Sequence, residues 1–255
     1  MLTFNYASWK HISQLAKTAM KKEIRFILVF VLLSLGALAQ QPGDKGKPVT
    51  ALFQMLNNYH YHPQVRDSKL SNSIFNRFIK TLDPHGLLFT GEIIGQLEPY
   101  RNSLCHENQG VLDTFIHEVT DLYHNRLLSA NQAIDSCFNA PFDFSEHDSL
   151  LFFTSDSLIL PANDFALAER WTKWIKSGIL KGLMLSDSDS AFSDSQIPGA
   201  MVVNKFRISE KRRISQLLEP SGGFEDFVLN TFLKTVSSCY DPRSEFFFQS
   251  RQGKI

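Results

Sequence analysis

A helical stripe cut off by Asp-Pro occurs twice in this chain, and it constrains the fold more than any other feature. The first copy sets Phe75, Phe78, Ile79 and Leu82 at helical spacing, then Asp83-Pro84-His85, then Leu87-Leu88-Phe89. The second sets Phe227, Val228, Phe232 and Val236, then Tyr240-Asp241-Pro242-Arg243, then Phe246-Phe247-Phe248. Proline bars its predecessor from the α region, so each Asp-Pro ends a helix, and the aromatic run behind it must dock on something apolar. With 22 Phe in 255 residues, the core is expected to be built on aromatic packing.

The rest of the chain reads as helix joined by loops. Thr50 to Tyr61 forms one helix, stopped at His62-Pro63, and another runs from about Gly91 to Leu104. The clearest is 111–138, where Leu112, Phe115, Ile116, Val119, Leu122, Tyr123, Leu127, Ile134 and Phe138 mark one apolar face. Residues 139–162 lack steady periodicity and read as loop, with a short extended piece at Leu158–Leu160. A helix starts near Asp164 with Phe165, Trp171, Trp174, Ile175, Ile179, Leu183 and Met184 on its face, although Gly178 and Gly182 weaken it. The Ser/Asp tract 186–196 belongs in a solvated loop. Helix returns from about Met201 to Leu218, Ser221-Gly222-Gly223 turns, and the second Asp-Pro helix follows. Strand signals are sparse. The expected class is all-α: an irregular multi-helix domain with long loops, preceded by a signal peptide.

That signal is read from residues 1–39. Lys21 and Lys22 precede an apolar run from Phe26 to Leu35, closed by Ala37-Leu38-Ala39. A charged start, a short apolar segment and a small-x-small end define a secretory signal, cleaved near Ala39, with Met20 as the expected true start. The run is shorter than the ~20 apolar residues of a membrane span. Residues 40–49 follow as a flexible linker, and residues 50–255 as the helical domain. The net charge is zero overall, but five of the 26 basic and one of the 26 acidic residues lie in 1–39, leaving 21 basic and 25 acidic beyond it. That balance offers no basic stripe for nucleic acid. Export implies an oxidising compartment, in which Cys105, Cys137 and Cys239 allow at most one bridge, with the pairing open.

No residue pattern announces chemistry. His60-x-His62 and His117 with His124 miss the i, i+4 spacing of a helical zinc site, and an isolated pair supplies too few ligands. There is no Gly-x-Ser-x-Gly elbow, and the acidic Ser tract is a poor setting for a Ser-Lys dyad. The expectation is therefore no catalytic, no cofactor-binding and no metal-binding residue. Arg207-Ile-Ser-Glu-Lys-Arg-Arg213 is a local basic cluster opposite Phe206, Ile214, Leu217 and Leu218. It reads as a solvated face with Glu210 pairing to Arg213 or Lys211, or else as a dock for an acidic partner.

Four stretches together resemble the N-terminal domain of the tail-specific protease, or carboxy-terminal processing peptidase, of bacterial envelopes. They are FNRFIKTLDPHGLLFTGEII at 75–94, AERWTKWIKSGILKGLML at 168–185, the basic helix at 207–219, and VLNTFLKTVSSCYDPRSEFFFQSRQ from residue 228. The last is similar to the family's segment before its PDZ domain, with Arg243-Ser244 in place of the usual His-Thr. The resemblance implies a cofactor-free serine protease that hydrolyses envelope proteins from their C-terminal ends. It also implies that the PDZ and protease domains lie beyond Ile255, so that a helical scaffold ends at its junction. Its implied partners are those two domains, unfolded protein substrates and an envelope adaptor, in a periplasmic or cell-envelope location. The rival expectation is a self-sufficient helical binding module of the envelope. Orphaned Phe246–Phe248 rings would mark the truncated protease, and internally packed rings the finished module. A third reading, an active hydrolase of unknown class, lacks a convergent polar constellation.

Overall fold

The computed structural model describes residues 45–106, 108–139, 142, 144, 159–189, 198–244 and 246. Among them are seven α-helices and no strand: α1 (Gly46–Tyr59), α2 (Ser68–Leu82), α3 (Gly91–Leu97), α4 (Gln109–Phe138), α5 (Asp164–Asp189), α6 (Pro198–Leu218) and α7 (Phe224–Tyr240). The all-α expectation holds for this part of the chain. Helix starts follow local capping chemistry: Asp67 accepts the Leu70 amide, Thr90 that of Ile93, Asn108 that of Val111 and Asn163 that of Ala166.

Helix α4 is the spine, with α1, α3, α5, α6 and α7 all packed on it, while α2 packs chiefly on α7. The two Asp-Pro helices are therefore partners in space. Phe78 of α2 meets Phe232 of α7 edge-on at 5.0 Å, and Phe115 of α4 lies 5.6 Å from Phe232 and 6.0 Å from Phe78. Phe75 and Tyr100 close the cluster on Phe115 at 6.2 and 5.5 Å. Offset and edge-on ring pairs of this kind add roughly 0.5–1.5 kcal/mol each beyond the area they bury. The two helices run antiparallel. Tyr240 at the end of α7 bonds to Gln64 just before α2, whereas Phe224 at its start stacks on Tyr123, which also meets Phe89 beyond the far end of α2.

Several boundaries differ from the sequence reading. Helix α1 begins at Gly46, inside the stretch 40–49 taken as linker, because Val49 and Leu52 already face the core; it ends at Tyr59, not Tyr61. The helix expected over 91–104 stops at Leu97 and tightens into a 3-10 turn at Glu98–Tyr100, since Pro99 lacks an amide donor. Helix α5 continues through Asp189, so the Ser/Asp tract does not begin as loop; residues 190–196 of that tract lie outside the described residues. Its buried stripe is Leu167, Trp171, Ile175 and Ile179 at steady i, i+4 spacing. Phe165 and Met184 fall off that stripe and are 75% and 72% exposed. Most of 139–158 is likewise outside the described residues, and Ile159–Leu160 form no strand.

Gly178 and Gly182, which weaken α5 as an isolated helix, are where α6 comes closest. A Cβ at Gly178 would overlap the Phe206 ring, and one at Gly182 would press on Val202. The missing side chains leave room for Phe206 and Val202 of α6 directly against the α5 backbone, at a helix-propensity cost of about 1 kcal/mol per glycine.

Candidate functional site

The two Asp-Pro turns look alike in sequence and behave differently in space. After α2, Asp83 is 2% exposed, and its carboxylate accepts three amides: Leu87 and Leu88 at 2.8 Å and Phe89 at 2.9 Å. Gly86 sits at φ 61°, a left-handed conformation that lets the chain curl back over the carboxylate. Burial pushes the Asp83 carboxyl above its ordinary range; the three amides and nearby His85 pull against that rise. The outward carbonyls of the same turn are also met. Arg126 of α4 donates Nε to Leu88 O at 2.7 Å and pairs with Asp164 at 2.8 Å, while Arg170 of α5 donates to Gly86 and Ile159 carbonyls. Leu87, Leu88 and Phe89 are thereby sunk into the core.

His85 projects from this turn onto Trp174, with ring centroids 4.5 Å apart. Burial and the Arg213 charge lower its pKa, and Asp83 and Glu210 act in the opposite sense. Glu210, 6% exposed, is gripped by Arg213 through both Nε and a terminal nitrogen, at 3.1 and 2.8 Å. The polar groups that gather here neutralise one another and tie the first turn to α5 and α6.

After α7, Asp241 stays partly exposed and makes a smaller turn. Its carboxylate accepts the Arg243 amide at 3.1 Å, the Ser244 hydroxyl at 3.2 Å and His60 Nε2 at 3.2 Å. Those contacts, led by the Arg243 amide and then His60, hold the carboxyl below its usual range. Gln64 reinforces the junction, its amide donating to Tyr240 Oη at 2.8 Å and its side chain to the Tyr240 carbonyl at 2.6 Å. Phe246 is half-buried against the core, as a self-contained module would have that ring; Phe247 and Phe248 lie outside the described residues.

The basic cluster resolves into internal ion pairs. Arg207 and Lys211 both hold Asp135 of α4, at 2.7 and 2.6 Å, while Glu210 takes Arg213 and not Lys211. Asp135 is held below its ordinary pKa, first by Lys211 and then by Arg207. A carboxyl depressed in the folded state adds stability above its unfolded pKa, and that gain is lost as pH falls through the folded value. Thermal melts of Asp135→Asn should therefore sit below wild type at neutral pH. The gap should close as the pH drops through the aspartate range; a gap that widens in acid would contradict the assignment.

His60 joins Asp241, His117 approaches Asp121 at 3.5 Å on an exposed face, and His124 packs edge-on against Phe224. Among the described residues, no three His, Cys, Asp or Glu side chains converge as a metal set. Cys105, Cys137 and Cys239 are free thiols, the first buried and its pKa pushed up to about 12 by desolvation. The sequence reading did not single out Arg126 or Gln64, whose partners lie 38 and 176 positions away and leave no local signal.

Fold and site together define, among the described residues, an all-α domain organised around two Asp-anchored turns. The family model for the tail specific protease N-terminal domain matches residues 52–250, and the chain belongs to that family. None of the curated proteins compared with it matches.

Proposed function

We propose that residues 50–255 act as the non-catalytic helical N-terminal domain of an exported carboxy-terminal processing serine protease. In this reading the domain packs against PDZ and protease domains and admits unfolded substrate tails to them, in the periplasm or cell envelope. The observation that carries it is the family match over 52–250, which takes in both Asp-Pro turns. The firmly held Asp241 junction supports it, since a domain that hands the chain on needs a defined exit. Export rests on residues 1–39 as a cleaved signal. N-terminal sequencing of secreted material should begin at or near Gln40.

The functional test is association. The purified protein should bind a separately produced PDZ–protease portion of a tail-specific protease and raise its turnover of an unfolded substrate. Hydrolysis by the protein alone, abolished by replacing one of its own serines, would overturn the reading. One observation favours the second reading, a stand-alone envelope binding module: Phe246 packs on its own core. Under that reading the purified protein ignores the protease portion and captures an envelope partner, such as an adaptor, through its own surface.

A further inference from the structure

The sequence leaves the pairing of three cysteines open, and the fold sets one of them apart. Cys137 of α4 faces α5, with its Sγ 3.7 Å from the Thr172 hydroxyl. Cys105 and Cys239 both come to the first half of α2. Ser71, fully buried there, accepts the Leu104 amide at 2.9 Å and donates to the Arg101 carbonyl at 2.7 Å, which seats the neighbouring Cys105 against that helix. Cys239 is brought to the same level by α7. Helices α2 and α7 run antiparallel, with Phe78 and Phe232 in contact at 5.0 Å. Ser71 lies seven residues before Phe78, and Cys239 seven residues after Phe232. Seven residues make nearly two turns, so both fall on the faces that carry the ring pair, displaced ~10.5 Å in the same direction. The adjacent residue agrees, since Tyr240 bonds twice to Gln64 just before α2. Cys105 belongs to the core, and Cys239 packs against it half-buried. Burial pushes the Cys105 thiol up to about 12; Arg66 and Ser71 oppose the rise, while Cys239 lies near enough to add to it.

We propose that Cys105 and Cys239 are a disulfide pair, closed in the folded protein by an external disulfide as oxidant, with Cys137 left as a free thiol. The half-buried Cys239 reacts first: its thiolate attacks one sulfur of the oxidant, and the other sulfur leaves as a thiol once it takes up a proton. Cys105 then gives up its proton, attacks the Cys239 sulfur of the mixed disulfide and expels the second thiol. The two cysteines lose two electrons and two protons, and the oxidant gains both. Burial of Cys105 does not block the second step, because its electrophile arrives on α7 and not from solvent. The bond ties the turns that follow α3 to the last residues of α7, immediately before Tyr240 and Asp241. It thereby locks the junction of α2 and α7, whether or not the domain serves a protease. An exported protein meets disulfide oxidants of this class in its compartment.

Two readouts on the purified protein test it, after incubation with oxidised glutathione without denaturant. Trypsin places the three cysteines on separate peptides, 102–126, 127–170 and 235–243. Mass spectrometry of the unreduced digest should find 102–126 joined to 235–243, and 127–170 free or carrying glutathione. The oxidised protein should also melt at least about 5 °C above the reduced one, and dithiothreitol should remove the gain. Cys137→Ser should keep both the link and the gain, and Cys239→Ser should lose both. A link that involves 127–170, or glutathione adducts on Cys105 and Cys239 with no link between them, overturns the proposal. A melt that is unchanged or lowered by oxidation overturns it too, since the bond would then form only by distorting the junction.

Discussion

Asp83→Ala should lower the stability of the helical domain by more than about 3 kcal/mol, since three buried amides each lose an acceptor at roughly 1–3 kcal/mol apiece. The carboxylate is 2% exposed, so water cannot take its place without opening the turn. Urea unfolding followed by circular dichroism measures the loss as a lower midpoint. Asp83→Asn is a sharper version of the same experiment. It keeps the shape, but its NH2 group would face the amides of Leu88 and Phe89 or of Leu87, donor against donor. It should therefore recover little of the lost stability. Asp241→Ala is the internal control: its carboxylate is partly exposed and accepts a single amide, so its midpoint should move much less. Equal shifts at Asp83 and Asp241 would show that burial does not distinguish the two turns.

Ile116→Asp should prevent folding altogether. Ile116 is fully buried on α4, the helix on which α1, α3, α5, α6 and α7 pack. The change forfeits roughly 1.5–3 kcal/mol of apolar burial. It also places a carboxylate in the apolar core cluster, which adds several kcal/mol more whether the group stays charged or takes a proton. Together these approach the ~5–15 kcal/mol that separates a native domain from its unfolded chain. Leu128→Asp on the same helix, at a position 44% exposed, should leave a cooperative melt. A native-like melt for Ile116→Asp would mean that α4 is not the spine.

Much of this architecture is legible in the residues because it rests on local rules. Asp83-Pro84 and Asp241-Pro242 end their helices as expected, since the steric bar before proline acts within one residue. The 3.6-residue rhythm of α4 is so regular that Leu112, Phe115, Ile116, Val119, Tyr123, Leu127 and Ile134 all prove buried. Errors arise where a local signal competes with packing or with a rarer backbone rule. Phe165 is as apolar as Trp171, yet the stripe through Leu167 turns it to solvent. Gly178 and Gly182 look like flaws in α5 until α6 is seen to need the space.

The site was less legible than the fold. Both aspartates stood out in the sequence as twin Asp-Pro stops, but their roles diverge. His60 reads as an ordinary polar side chain, and only its contact with Asp241, 181 residues away, gives it a part in the second turn. The basic run Arg207–Arg213 offered two readings, and Asp135, contributed by another helix, selects internal pairing for Arg207 and Lys211.

From the residues alone follow the all-α class and the places where the two Asp-Pro helices stop, because backbone sterics and apolar periodicity act over a few neighbouring positions. Tertiary structure alone decides that one aspartate becomes a buried clamp on three amides and the other a partly exposed anchor bonded to His60. Desolvation and the reach of distant donors depend on how α1, α2, α4 and α7 come together, and no short stretch of sequence carries that information.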